Sequence, residues 1–342
     1  MRKSIVSVMF LLIAFVCVLV LPMNNARART IELKFAHAFP PKHTMQVRVF
    51  EPWAEKINKL TNGKVKVTFF PGGSLGKAPD LYALAEKGIA DMIYTLHDYT
   101  PGRFPMTSVF ELPFMTPSAT MTSEAMWKVY EQFPAFRKEY DKVKVLALFC
   151  HPGGDFHMAK IPIRKVDDLK GLKIRTANPF VTEALKEFGA IPVTTPVTET
   201  YTAMERGVVD GTVLPWEGLG VFKIDELTKY STMADFYTMT MMVVMNKRKW
   251  DSLPDDVKKV IDEQSGMAMS SECGKIYDAT DEPFMKRAVA KGVEVIELPP
   301  AEKAKLEELT IPLREKWVKD MKSRGLPGQE VLKAALKYIG KN

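Results

Sequence analysis

The 342-residue chain has little cysteine, little histidine and only one long apolar run. Its three Cys, at 17, 150 and 273, are too few for a disulfide scaffold. Its five His, at 37, 43, 97, 151 and 157, show neither H-E-x-x-H nor H-x-x-x-H spacing, and the acids are scattered. No metal site is therefore expected. No G-x-S-x-G elbow is present. Gly72-Gly73-Ser74-Leu75-Gly76-Lys77 is followed by Ala78, so it is no P-loop. Charge of one sign is also scarce. The formal net charge is +7, and the +4 left once the N-terminal apolar leader is removed is too weak and too evenly spread to argue for nucleic acid. With 46% hydrophobic and 26% charged residues the composition is that of a globular protein, not a disordered one.

The apolar run is Ser4 to Leu21, preceded by Arg2 and Lys3 and followed by Ala26-Arg27-Ala28. A basic start, an apolar middle and an A-x-A exit describe a secretory signal peptide over residues 1–28, an uncleaved anchor being the alternative. Removing it takes away Arg2, Lys3, Arg27 and Cys17, so the net charge falls from +7 to +4. Cys150 and Cys273 remain, free or paired. The exported remainder is long enough for two domains.

Strand-like segments alternate with helix-like ones, which predicts an α/β fold with mostly parallel sheets. Strands are expected at 31–39, 65–70, 89–96, 143–149, 172–176, 191–195 and 208–214, and helices at 79–87, 178–188 and 198–206. One motif occurs twice. Tyr82 to Asp91 and Tyr201 to Asp210 both read Y-x-x-x-E-[K/R]-G-[I/V]-x-D. Each reads as a helix closed by a glycine that turns straight into a buried strand. It is either a common unit met twice or the mark of two similar lobes. Beyond residue 240 the pattern changes to long helices. Ser252-Leu253-Pro254-Asp255 reads as a capping box. The helix after it is expected to bend or break at Gly266, Gly274 or Pro283. Further helices follow at 301–322 and 330–339.

The sharpest candidate for chemistry is Leu172 to Pro179. Arg175 falls between the end of a strand and a helix that Asn178 caps and Pro179 opens. Ligands of α/β folds collect there, and an Arg fork suits a carboxylate. The alternative is an ordinary surface Arg. Trp216 either stacks on a ligand or packs against a hinge. His151 and His157 flank Gly153-Gly154 and either line a cleft or sit as plain loop residues. The Met cluster at 233, 239, 241, 242 and 245 reads as core packing.

Taken in order along the chain, these segments resemble the solute-binding subunits of TRAP transporters, the DctP-like family. The resemblance rests on Pro71 to Gly76, Glu86 to Asp91, Glu111 to Phe114, Asp168 to Arg175, Glu199 to Met204, Gly207 to Gly211 and Asn246 to Pro254. It implies an α/β protein of two lobes joined by a hinge, with a long helix bracing both and a ligand closed between them. The division expected is 29–150 plus 241–280 for lobe I, and 151–240 plus 281–342 for lobe II. By resemblance, Arg175 pairs with a ligand carboxylate and Asn178 matches a nearby polar position. Thr95, Val197 and Leu214 fall where relatives line the pocket, Leu214 replacing an Asn of the sialic-acid-binding branch. Relatives that bind diacids carry a second Arg ahead of Pro162-Ile163. Here that stretch, His151 to His157, has none. Phe39, Tyr94, Phe156, Phe180, Trp216 and Tyr237 offer apolar walls. The expected ligand is therefore a monocarboxylate with a hydrophobic or aromatic body. The alternatives are a C4-dicarboxylate, a 2-oxo acid, or a role as ligand-sensing partner of a membrane receptor. Some relatives hold a 2-oxo acid through a metal at adjacent Glu and Trp. Trp216-Glu217 does not match that order and position, so no metal is carried over. No cofactor and no catalysis are expected. The expected setting is a periplasmic monomer working with TRAP membrane subunits.

Overall fold

The computed structural model describes residues 30–341, so the signal-peptide segment lies outside the described residues. Two sheets organise the chain. The strands are β1 (Ile31–His37), β2 (Val65–Phe70), β3 (Met92–Leu96), β4 (Val143–Cys150), β5 (Gly154–Met158), β6 (Lys173–Thr176), β7 (Ile191–Thr194), β8 (Gly211–Leu214), β9 (Tyr230–Tyr237), β10 (Thr240–Asn246) and β11 (Glu294–Glu297). The first sheet runs β2-β1-β3-β10-β4 and the second β11-β9-β5-β8-β6-β7. The fold is α/β and two-lobed, as expected.

The sheets are mixed rather than mostly parallel. β1 pairs parallel with β2 and β3, but β10 pairs antiparallel with β3 and β4. In the second sheet β5 runs antiparallel to β8 and β9. The cause is the crossover. The chain passes from β4 into β5 and returns from β9 into β10, and in each sheet the strand entered, β5 or β10, runs against all the others. Three of the four were not legible as strands, because β10 is buried throughout with an apolar centre and β5 and β9 lack clean alternation.

The duplicated motif does the same job in each sheet. Gly88 and Gly207 end their helices in the left-handed region, at φ 75° and 68°. Ile89 and Val208 then lie exposed, and the strand starts only after the aspartate. Asp91 Oδ2 accepts from Lys34 N–H at 2.8 Å, and Asp210 Oδ2 accepts from Lys173 N–H at 2.8 Å. Each carboxylate thus ties its own strand to the neighbouring parallel one, Asp91 at the middle of β1 and Asp210 at the start of β6.

The long helix breaks where glycine was expected to break it, into Asp255–Glu263 and Met267–Ala290, with Pro283 inside the second piece. Ser252 does not cap the first piece. Its hydroxyl instead donates to Lys249 O at 2.7 Å, closing the turn before. The Met267–Ala290 helix braces both lobes. Near its start Ser270 Oγ accepts from Leu148 N–H of β4 at 3.0 Å. Asp278 then accepts from Ala119 N–H at 2.8 Å and Thr120 N–H at 2.9 Å, capping the Ala119–Gln132 helix of the first lobe. At its far end Arg287 and Lys291 reach the buried Asp225 of the second lobe at 3.0 and 2.8 Å.

One expected boundary does not hold. The final helix, Gly328–Tyr338, packs on the first lobe although residues 281–342 were grouped with the second. Val331, Leu332, Ala335 and Ile339 bury their apolar face against the core that holds Met126, Trp127 and Val129. Cys150 and Cys273 are buried free thiols.

Candidate functional site

Arg175 stands on β6 and is 1% exposed. Its Nε and Nη2 donate to Thr195 O at 2.9 and 2.6 Å. Among the described residues no carboxylate lies within salt-bridge distance of it, and its side-chain neighbour is the Tyr99 hydroxyl. Burial lowers its pKa, with Tyr99 and Tyr237 opposing that shift. A buried guanidinium without a counter-ion is costly and calls for an anion.

That guanidinium borders a cavity of about 50 Å³ between the lobes. Phe39, Tyr94, Leu96 and Met241 reach it from the first sheet's strands and loops, and Leu214 from β8. Val197, Phe222 and Met239 complete a largely apolar wall. Tyr277 reaches it from the bracing helix, and its hydroxyl lies 3.2 Å from that of Tyr94. Glu217 comes from the short helix Trp216–Val221, and His43 from the segment after β1. The lobes also touch beside the cavity, where Val197 N–H donates to Tyr99 Oη at 3.2 Å.

His151 lies on one crossover and is held by the other. Met239 N–H donates to its Nε2 at 3.0 Å, and Thr238 Oγ1 donates to its carbonyl at 2.6 Å. Burial lowers its pKa to about 4, so the ring is neutral. It faces the cavity while tying the two connecting strands together.

Five of the eight residues singled out in the sequence line this cavity: Arg175, Phe39, His151, Val197 and Leu214. The other three lie outside its lining. Asn178 caps the Pro179–Glu187 helix through Val181 N–H at 2.9 Å. Its amide Nδ2 donates to Asp98 at 2.9 Å and Glu111 at 3.2 Å. Burial raises the pKa of both acids, and the proximity of Glu111 raises that of Asp98 further. The protein's own acids thus use that amide. Thr95 and Trp216 are buried, with Thr95 Oγ1 and Trp216 Nε1 unpartnered. Trp216 packs edge-on against His157 at 5.0 Å. Of the apolar walls considered, Phe39 and Tyr94 face the cavity. Phe156 instead stacks on Phe236 at 4.9 Å, and Phe180 lines a separate groove beside Trp317. Sequence reasoning missed His43, Tyr99, Glu217, Phe222 and Tyr277 as lining residues. They come from separate segments, and no local spacing links them.

The fold and the arginine-bordered cavity between its lobes define a two-lobed binding protein for a small organic anion. Comparison with known proteins gives the family. Residues 35–320 match the model of the bacterial extracellular solute-binding proteins, family 7, or DctP. The chain belongs to that family and is a TRAP-type solute-binding protein. It is 32% identical over 316 residues, 91% of this chain and 92% of the relative, to the outer membrane transporter protein TsaT of Comamonas testosteroni. It superposes with a TM-score of 0.88 on a TRAP solute-binding protein from Rhodoferax ferrireducens T118 crystallised with copurified benzoate. That pair is 34% identical and covers 91% of this chain and 98% of the other. A second match is a marine metagenome protein from an unidentified microbe, specific for aromatic acid ligands and co-crystallised with 3-hydroxybenzoate. It gives a TM-score of 0.87 at 35% identity, covering 91% and 98%. No helix among the described residues is long and apolar enough to cross a membrane.

Proposed function

We propose that this protein captures an aromatic monocarboxylate outside the cytoplasmic membrane and presents it to the membrane subunits of a TRAP transporter. The observation that carries the reading is Arg175, buried without a carboxylate partner at the edge of an apolar, aromatic cavity. Its planar guanidinium carries more N–H donors than Thr195 O takes up, and it can present them side by side to an anion. No other Lys or Arg is among the described residues lining the cavity, so a second carboxylate would enter without a cation. Benzoate and 3-hydroxybenzoate in the two similar structures support the same ligand class.

Binding follows from this geometry. With the lobes apart, the acid docks its carboxylate on Arg175. Closure then wraps Phe39, Tyr94, Phe222 and Tyr277 round the ring and excludes water, which strengthens the ion pair. The closed shape is the form the membrane subunits would recognise. No bond is made or broken, and none of the lining groups forms a nucleophile–base pair. The protein would act as a periplasmic monomer, exported through residues 1–28. Its lobes would divide as 29–150 with 241–280, and 151–240 with the chain beyond 281 up to the final helix.

Calorimetric titration tests this. Benzoate should bind the native protein, and Arg175→Ala should weaken binding by about 2–5 kcal/mol, since a buried carboxylate would lose its only cation. Unchanged benzoate affinity in that variant would remove Arg175 from the role.

A further inference from the structure

The end of the cavity formed by His43 and Glu217 carries a second polar site. Both side chains are buried, 2% exposed by residue. Met45 N–H donates to His43 Nδ1 at 3.2 Å, so that nitrogen is an acceptor and the proton of the neutral ring sits on Nε2. The ring is neutral because burial, with His37 adding to it, lowers its pKa to about 3. Nε2–H therefore points as a donor towards Glu217 Oε1, which has no hydrogen-bond partner among the described residues; burial raises the Glu217 carboxyl to about 7, and the carboxylate or the carbonyl oxygen of the neutral acid accepts alike. The two atoms stand 4.0 Å apart, too far to bond directly. Around them are Phe39, whose ring centre is 4.6 Å from that of His43, and Phe222 at 6.5 Å.

A buried donor and a buried acceptor at this separation match one group that is both. A hydroxyl oxygen can sit about 2.8 Å from each at once, accepting from Nε2–H and donating to Oε1. An unsubstituted ring placed there would leave Nε2–H and Oε1 desolvated and unpaired, and such sites discriminate strongly against ligands lacking the hydroxyl. We infer that the His43–Glu217 pair is the specificity-determining site of this protein, and that its preferred ligand is an aromatic acid bearing a ring hydroxyl. This rests on the aromatic-carboxylate reading and adds a second anchor to Arg175. Sequence adjacency gave no hint of it, because the two residues are 174 positions apart.

The test is calorimetric titration of the native protein with benzoate, 3-hydroxybenzoate and 4-hydroxybenzoate, repeated on Glu217→Leu and His43→Phe. At least one hydroxybenzoate should bind the native protein about tenfold or more tighter than benzoate, the order seen when a site built for a hydroxyl loses it. That ratio should fall to about threefold or less in either variant. His43→Phe keeps an aromatic ring against Phe39, so it reads the pair if Glu217→Leu fails to fold. Equal affinity of native protein for benzoate and both hydroxybenzoates overturns the inference while leaving the carboxylate reading standing. So does a preference that survives in a folded variant. Absence of heat from all three acids overturns both.

Discussion

At the scale of single residues, the chemistry of this protein turns on how few of its buried charges have partners. Asp225 has two cations, and Asp98 and Glu111 share the amide of Asn178. Arg175 has a backbone carbonyl and no carboxylate. The strand-end position and the cap that follows it were readable from Leu172 to Pro179, since both depend on neighbours within a few positions. The partner of Asn178 was not, because it comes from residues 98 and 111, on the other lobe. Asn178→Ala should therefore act on stability. Losing the cap and a donor shared by two buried acids should cost about 2–3 kcal/mol, checked by urea denaturation. A variant as stable as the native protein would mean that the amide contributes nothing to holding the lobes in register.

Among the elements, the Met267–Ala290 helix carries most of the organisation. Its break points were legible, because glycine and proline act locally. Its register against the first lobe was not, because it depends on contact with a distant helix. Gly274 shows why. A Cβ there would meet Thr120 Cα at 2.6 Å and Ala119 O at 2.8 Å, both backbone atoms with no freedom to retreat. Gly274→Ala should thus force the two helices apart and cost about 1–3 kcal/mol, despite the better helix propensity of alanine. Equilibrium unfolding measures it, and a stabilised variant would contradict the close approach. The repeat was legible as a pattern, yet its meaning lies in Asp91 and Asp210 each holding the amide of an adjacent strand. The strands that cross between lobes were the least legible. β10 is buried throughout, and its Met241–Met245 centre is a continuous apolar run in which no period of two survives.

For the whole molecule, the buried titratable groups set a pH profile. Burial is the first cause of every shift involved. It pushes the Glu139, Glu217 and Asp281 carboxyls up to about 7 and that of Asp155 to about 8. Unfolded, these acids ionise near pH 4. From there upward the folded state holds more protons than the unfolded one, so stability falls as pH rises and the loss is complete above about pH 8. Burial lowers the His97, His151 and His157 rings to about 4 and His43 to about 3. Unfolded histidine takes its proton near pH 6.5, so here stability falls as pH drops below that value. Between about pH 4.5 and 6.5 the two trends largely offset each other. The ligand-free Tm should be nearly level across that window and decline on both sides, as calorimetric scans in stepped buffers would record. A Tm still climbing from pH 6.5 to 8 would contradict the account.

The position of the final helix has a practical consequence. β1 and the Gly328–Tyr338 helix, near the two ends of the described chain, both belong to the first lobe. On the proposed division, the second lobe is joined to the first through two crossovers and two helices. If the lobes close as proposed, a surface or bead attached through the C-terminal helix would grip the first lobe and leave the second to move. Dyes placed one at each terminus would ride on the same body and stay silent during capture. A dye near the C terminus paired with one on the exposed Val208 of the second lobe would turn each binding event into a change in distance.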